Sequence, residues 1–206
     1  MTNISTETLS EVAHEMHEHG LIKFGQFKLK SGIMSPFYID LREVQSYPST
    51  LKAVTKAFCE LLVNTDKASV KLAGIPEAGV PLATAVGYEL GMSLVQPRKV
   101  VKDHGTKSAV EGAFEAGDHV ILIDDLITKG DSKIEAIDQV AMAELVVDKF
   151  LVLIDREQGG LELLRQEKNC EVVPAFTITE LVNELRAQDS ISEDQYQLII
   201  DFIRNN

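Results

Sequence analysis

Two adjacent carboxylates, Asp124 and Asp125, stand directly behind the apolar run Val120 to Ile123 and ahead of the turn Thr128–Lys129–Gly130–Asp131–Ser132. A buried strand delivers acids at its end. A glycine turn that opens a helix offers unpaired backbone N–H groups and the positive end of a helix dipole. Together these suit a phosphorylated sugar: the carboxylates can hold a ribose diol, directly or around Mg²⁺, while the turn receives phosphate. The plainer alternative is an N-cap and turn with two acids placed for solubility. Neither a GxxxxGKS/T loop nor a GxGxxG fingerprint occurs in the chain.

Three further segments carry candidate chemistry. Within Pro97 to Gly112, the basic residues Arg98, Lys99, Lys102 and Lys107 fall in ten positions with His104 and Gly105. A polar, glycine-containing loop of that length in a compact domain reads as a lid or binding loop, or else as a solvated charged loop. The stretch Gly74 to Pro81 forms a tight strand-to-helix turn able to offer N–H groups to an anion. Asp155–Arg156, followed by Gly159–Gly160, places a guanidinium at a strand end. It can bind a carboxylate in two-point fashion or close a surface ion pair. The histidine-rich HEMHEH at His14 to His19 lacks the i, i+4 spacing of HExxH and reads as a solvated helix face.

The elements that must position these residues follow from hydrophobic period. Leu9, Val12, Ala13 and Met16 mark an amphipathic helix, with Thr8 and Glu11 as a candidate capping box and Gly20 as its close. Phe24 to Leu29 and Phe37 to Leu41 read as strands broken by Ser31, Gly32, Ser35 and Pro36. Leu51, Val54, Ala57, Phe58, Leu61 and Leu62 mark another helix. Buried strands at Leu72 to Ile75, Val120 to Ile123, Phe150 to Ile154 and Val172 to Phe176 then alternate with helices near 81–90, 131–146 and 159–167. A last helix runs from Ser192 to Arg204. This is the pattern of an α/β protein, a parallel sheet with helices on both faces. The expected layout is a single domain over 1–206, with a core at about 48–176 and a small hood made from about 1–47 and 177–206.

Composition limits the partners. The chain has 206 residues, 45% of them hydrophobic, and 32 acidic against 20 basic residues give a net charge of -12. An acidic protein makes a poor nucleic-acid or anionic-membrane binder, and no apolar run approaches a membrane span. Two cysteines, Cys59 and Cys170, form no disulfide framework or metal-ligand pair, which fits a reducing, cytoplasmic location.

Taken together, IDDLITKGDS, FGQFKLKSGIMSPFYIDLR, RKVVKDHG and LIDREQGG resemble the type I phosphoribosyltransferases and, among them, the orotate phosphoribosyltransferase family. The resemblance covers nearly the whole chain and is to the single-function form. It implies transfer of a phosphoribosyl group from phosphoribosyl pyrophosphate to N1 of orotate, giving orotidine 5′-monophosphate in pyrimidine biosynthesis. It further implies that Asp124 and Asp125 bind the ribose hydroxyls, that the turn Thr128, Lys129, Gly130, Asp131 and Ser132 binds the 5′-phosphate largely through backbone N–H groups, and that Leu126 and Ile127 belong to the same phosphoribosyl pyrophosphate site. Arg98, Lys99, Lys102 and His104 would close over pyrophosphate, Lys102 catalytically, with the 98–112 loop shared between the subunits of a homodimer. Lys30, Phe37 and Tyr38 would line the orotate pocket, and Thr128 and Arg156 would contact orotate. Mg²⁺ would ride on the substrate, near Asp124 and Asp125. Four residues depart from the family pattern: Lys129 where a small residue is usual, Asp131 beside the expected phosphate, and Glu77 and Ala78 where many bacterial relatives carry Tyr and Lys. Glu77, Ala78 and Asp131 motivate the alternative of a non-catalytic, ligand-sensing relative.

Overall fold

The computed structural model describes residues 4–28, 32–98 and 109–205. The first helix, α1 (Thr6–Glu18), buries Val12, Ala13 and Met16 as its period requires. Its cap is Ser5, whose hydroxyl accepts from the Thr8 N–H, and not the Thr8–Glu11 box expected from the sequence. Thr8 is instead fully buried and donates its hydroxyl to Glu60. An antiparallel pair follows, β1 (Ile22–Lys28) and β2 (Met34–Ile39), then a 3₁₀ turn at Leu41–Ser46.

From α2 (Pro48–Leu61) onward the chain winds a six-stranded sheet: β3 (Val70–Gly74), α3 (Gly79–Leu90), β4 (Leu94–Pro97), β5 (Val110–Glu111), β6 (His119–Ile127), α4 (Asp131–Ala141), β7 (Val146–Asp155), α5 (Gly160–Lys168) and β8 (Glu171–Thr177). The strand order is β5-β4-β3-β6-β7-β8, parallel except for the short edge strand β5. The helices α6 (Ile178–Ala187) and α7 (Glu193–Asn205) end the chain. Four elements lie beyond the sequence expectation, namely the 3₁₀ turn at Leu41–Ser46, β4, β5 and α6. The helix α4 also stops at Ala141, earlier than the expected 146.

Alternation along the central strands builds two hydrophobic layers. Ile121, Ile123, Leu151 and Leu153 face one layer, which also contains Val54 and Phe58 of α2, Met16 of α1, Phe37 of β2 and Leu181 of α6. Val120, Leu122, Phe150 and Val152 face the other, against Ile137 and Val140 of α4 and Leu164 of α5. The terminal segments therefore share one apolar layer with the sheet. At roughly 25 cal/mol per Å² of buried apolar surface, the two layers fix the strands' register against slippage. Strand order reverses between β3 and β6, and ligand crevices of open α/β sheets form at the carboxyl ends of such a pair.

Candidate active site

The chain ends of β3, β6 and β7 converge in space because three backbone contacts tie their loops together. Ile75 N–H donates to Ile123 O at 2.9 Å, Arg156 N–H to Ile127 O at 3.0 Å, and Gly160 N–H to Thr128 O at 2.9 Å. Glycine is required where the loops touch. A Cβ on Gly79 would stand 2.3 Å from Ile123 O, and one on Gly160 would stand 2.4 Å from Thr128 O. Gly130 adopts φ +95° and caps α4 without any side-chain hydrogen bond, so the helix N-terminus opens toward the crevice.

The acid pair sits inside β6, which continues through Asp124 and Asp125 to Ile127. Asp124 is 4% exposed, and its carboxylate accepts from the Asp125 N–H at 2.8 Å and from the ammonium of Lys133. Burial raises the Asp124 pKa above the ordinary carboxylate value, while Lys133 acts against that shift. Asp125 is half-buried and accepts from the Leu126 N–H at 2.7 Å. Lys129, Asp131 and Ser132 are all exposed. Lys133 pairs with Asp124, not with Asp131.

On the neighbouring strand end, Arg156 is half-buried with its guanidinium 5.3 Å from the Phe37 ring centroid. Its Nε has no hydrogen-bond partner, and burial lowers its pKa, with Tyr38 the opposing influence. Among the described residues no carboxylate pairs with it. Asp155 instead accepts from the Glu157 N–H at 2.9 Å, and burial pushes its own pKa up. Phe37 is 1% exposed and lies under the guanidinium, edge-on to Phe202. Tyr38 is half-buried and stacks at an angle with Phe27. A cation held this way, desolvated on an aromatic face with an orphaned donor, is arranged to receive an anion from outside.

Arg42 was not singled out in the sequence, although it closes the quoted FYIDLR. Its guanidinium pairs with Asp40 at 2.7 and 2.6 Å and lies near enough to Asp125 to feel that charge. The residues of β2 and its 3₁₀ turn therefore face the acids and Arg156 of the sheet. At the opposite edge, β4 and β5 form the base of the 98–112 loop, with Arg98 N–H donating to Ala109 O at 2.9 Å. The Arg98 guanidinium pairs with Glu111, and its carbonyl accepts from Gln139. Lys30, Lys99, Lys102 and His104 lie outside the described residues.

A phosphoribosyl transferase domain model matches residues 40–184, most of the chain. An orotate phosphoribosyltransferase of Pyrobaculum islandicum is 37% identical over 186 residues, covering 90% of this chain and 94% of that protein. The chain belongs to the orotate phosphoribosyltransferase family. The family is also recognisable in space. The crystal structure of the Aeropyrum pernix orotate phosphoribosyltransferase matches with a TM-score of 0.74 at 29% identity, over 88% of this chain and 99% of that one. The UMP synthase of Leishmania donovani matches with a TM-score of 0.85 at 31% identity, over 96% of this chain but 42% of that longer one. The phosphoribosyl transferase domain match runs from the 3₁₀ turn into α6 and includes Asp124, Asp125 and Arg156, while Phe37 and Tyr38 of β2 precede it.

Proposed function

We propose that the chain transfers the phosphoribosyl group of phosphoribosyl pyrophosphate to N1 of orotate, releasing pyrophosphate and orotidine 5′-monophosphate. The observation that carries the acceptor is Arg156, a half-buried guanidinium with an unpartnered Nε, set one strand from the acid pair and the phosphate turn. Its natural ligand is a planar carboxylate, which orotate has and uracil lacks. The relatives named above are enzymes by name, which does not favour a non-catalytic sensor.

The residues divide the work. Asp124 and Asp125 accept the ribose hydroxyls, and the N–H groups from Thr128 to Ser132 take the 5′-phosphate at the open end of α4. Arg156 fixes the orotate carboxylate, with Tyr38 beside it and Phe37 beneath, so that N1 faces the anomeric carbon. Thr128 and Lys30 complete the acceptor side. Bond breaking at that carbon leaves cation-like character on the ribose and charge on pyrophosphate. Arg98, Lys99, Lys102 and His104 answer the second, and the Asp124 and Asp125 carboxyl oxygens at the ribose favour the first. The 98–112 loop excludes water from the reacting carbon.

Mg²⁺ belongs to this reading as a cation that neutralises pyrophosphate. Among the described residues no group of three or more His, Cys, Asp or Glu could hold a metal. Two carboxylates fit a hard cation only as partial neighbours, the remaining oxygens coming from the substrate. A homodimer sharing the 98–112 loop goes with the same reading. Tyr88, 89% exposed on α3 beside a groove with Leu51, Thr55 and Cys59, offers apolar surface for such a contact. A reducing, cytoplasmic setting fits the two free cysteines, and no helix among the described residues is long and apolar enough to cross a membrane.

The test follows the loss of orotate absorbance with phosphoribosyl pyrophosphate and Mg²⁺. Turnover by the native chain is expected, and Lys102→Ala should lower it about a hundredfold or more. Absence of turnover with orotate overturns the reading, and sedimentation of the active protein tests the dimer.

A further inference from the structure

On α4 the buried positions are Lys133, Ala136, Ile137 and Val140, the i, i+3, i+4, i+7 stripe that faces the sheet. Lysine occupies the slot where the period calls for an apolar side chain. Its ammonium is nevertheless not lost in the core, because the four-carbon stem carries it to the Asp124 carboxylate at the floor of the crevice. Lys133 is 9% exposed and Asp124 is 4% exposed. Burying two charges to make one pair is a poor way to gain stability, since apolar residues of similar size serve as well or better. The pair therefore points to a use at the site it touches.

Geometry supplies that use. One oxygen of Asp124 is fixed by the Asp125 N–H at 2.8 Å and the other by Lys133, which removes the carboxylate's rotational freedom. A carboxylate has about four lone-pair directions, so acceptor capacity remains for one ligand hydroxyl. The pair also cancels one of two adjacent negative charges where an anionic donor must bind. We propose that Lys133 is a positioning residue of the donor site: its buried ammonium holds Asp124 as an oriented, charge-compensated acceptor for a ribose hydroxyl of phosphoribosyl pyrophosphate. This rests on the assignment of the acid pair to the donor ribose.

Lys133→Met and Lys133→Arg test the idea, with steady-state kinetics for both substrates and the thermal shift produced by ribose 5-phosphate as a readout free of turnover. Lys133→Met is expected to raise the KM for phosphoribosyl pyrophosphate roughly tenfold or more while moving the orotate KM less than about twofold. Its ribose 5-phosphate shift should shrink in parallel, and Lys133→Arg should recover most of both. Wild-type donor affinity in Lys133→Met, or equal loss toward donor and acceptor, overturns the proposal. Should Lys133→Met fail to fold, Asp124→Asn/Lys133→Met removes both charges and leaves no orphan. The double variant should show the same donor-selective loss, and wild-type donor affinity there is equally fatal. Asp125→Asn separates the two levels: an unchanged donor KM in that variant overturns the ribose assignment itself, whereas a raised one alongside normal Lys133 variants overturns only the role of Lys133.

Discussion

Arg156 is the residue whose setting most narrows its purpose. A guanidinium removed from water costs free energy; among the described residues it has no carboxylate partner, and the Phe37 face and Tyr38 offset part of that cost. Its replacement should therefore spare the fold and damage the acceptor site, as at other sites where function keeps a strained arrangement. Arg156→Met is expected to raise the orotate KM about 10- to 100-fold, the equivalent of a charged hydrogen-bond pair at roughly 1.5–3 kcal/mol. Its thermal midpoint should stay at or above the native value, and the donor KM should hold. Kinetics with each substrate varied in turn, beside a melting curve, check all three. A large loss of stability would mean that Arg156 is structural. The sequence made this residue, Asp124 and Asp125 legible, because their types follow directly on buried strands. It did not make Lys133 legible. A lysine in the first turn of a helix looks like surface charge until its partner nine residues away is brought beneath it.

The element scale turns on how closely three loops must approach. Gly160 opens α5 at the point where its N–H reaches Thr128 O, and a methyl group there would stand 2.4 Å from that oxygen. Gly160→Ala should push the β7–α5 loop away from the phosphate turn, costing about 1–3 kcal/mol of stability and raising the donor KM more than the orotate KM. Denaturant melts and steady-state kinetics measure both effects; a donor KM at the native value would show that the turn does not depend on this contact. The parallel core was readable because β3, β6, β7 and β8 are continuous apolar runs. The strands β4 and β5 were not, since Leu94–Pro97 and Val110–Glu111 have too few residues to show a period. The helix α6 carries a start signal in its sequence. Thr177 and Glu180 form a full capping box, with Thr177 N–H donating to Glu180 Oε2 at 2.8 Å and Glu180 N–H to Thr177 Oγ1 at 3.1 Å. That signal is masked in the sequence because the strand β8 runs into the helix without an intervening loop.

At the scale of the whole molecule, an excess of twelve negative charges must coexist with a site for two anions. The acids fall into two groups with opposite effects on stability. Glu15, Asp40 and Asp118 are held below their ordinary pKa values, chiefly by the Ser49 hydroxyl, the Arg42 guanidinium and the Glu115 backbone N–H respectively. Such groups stabilise the fold above the unfolded value near 4, and that contribution is lost as pH falls through their lower folded values. Asp124 and Asp155 are shifted upward by burial, so the folded state binds their protons first. Their contribution has the reverse sign: stability rises as pH drops from neutrality toward 3.8, the value both groups have unfolded. Falling self-repulsion adds to that rise as the net charge shrinks toward the isoelectric point near 4.8. The ligand-free protein should thus melt at a higher temperature near pH 5.5 than at pH 8, and lose stability steeply below about pH 4. Asp124→Asn, which removes the more deeply buried of these two acids, should flatten the neutral limb and leave the acid limb in place. Melting curves across pH in dilute protein check this, and a neutral limb of unchanged slope in Asp124→Asn would show that the buried acids of the site do not govern it.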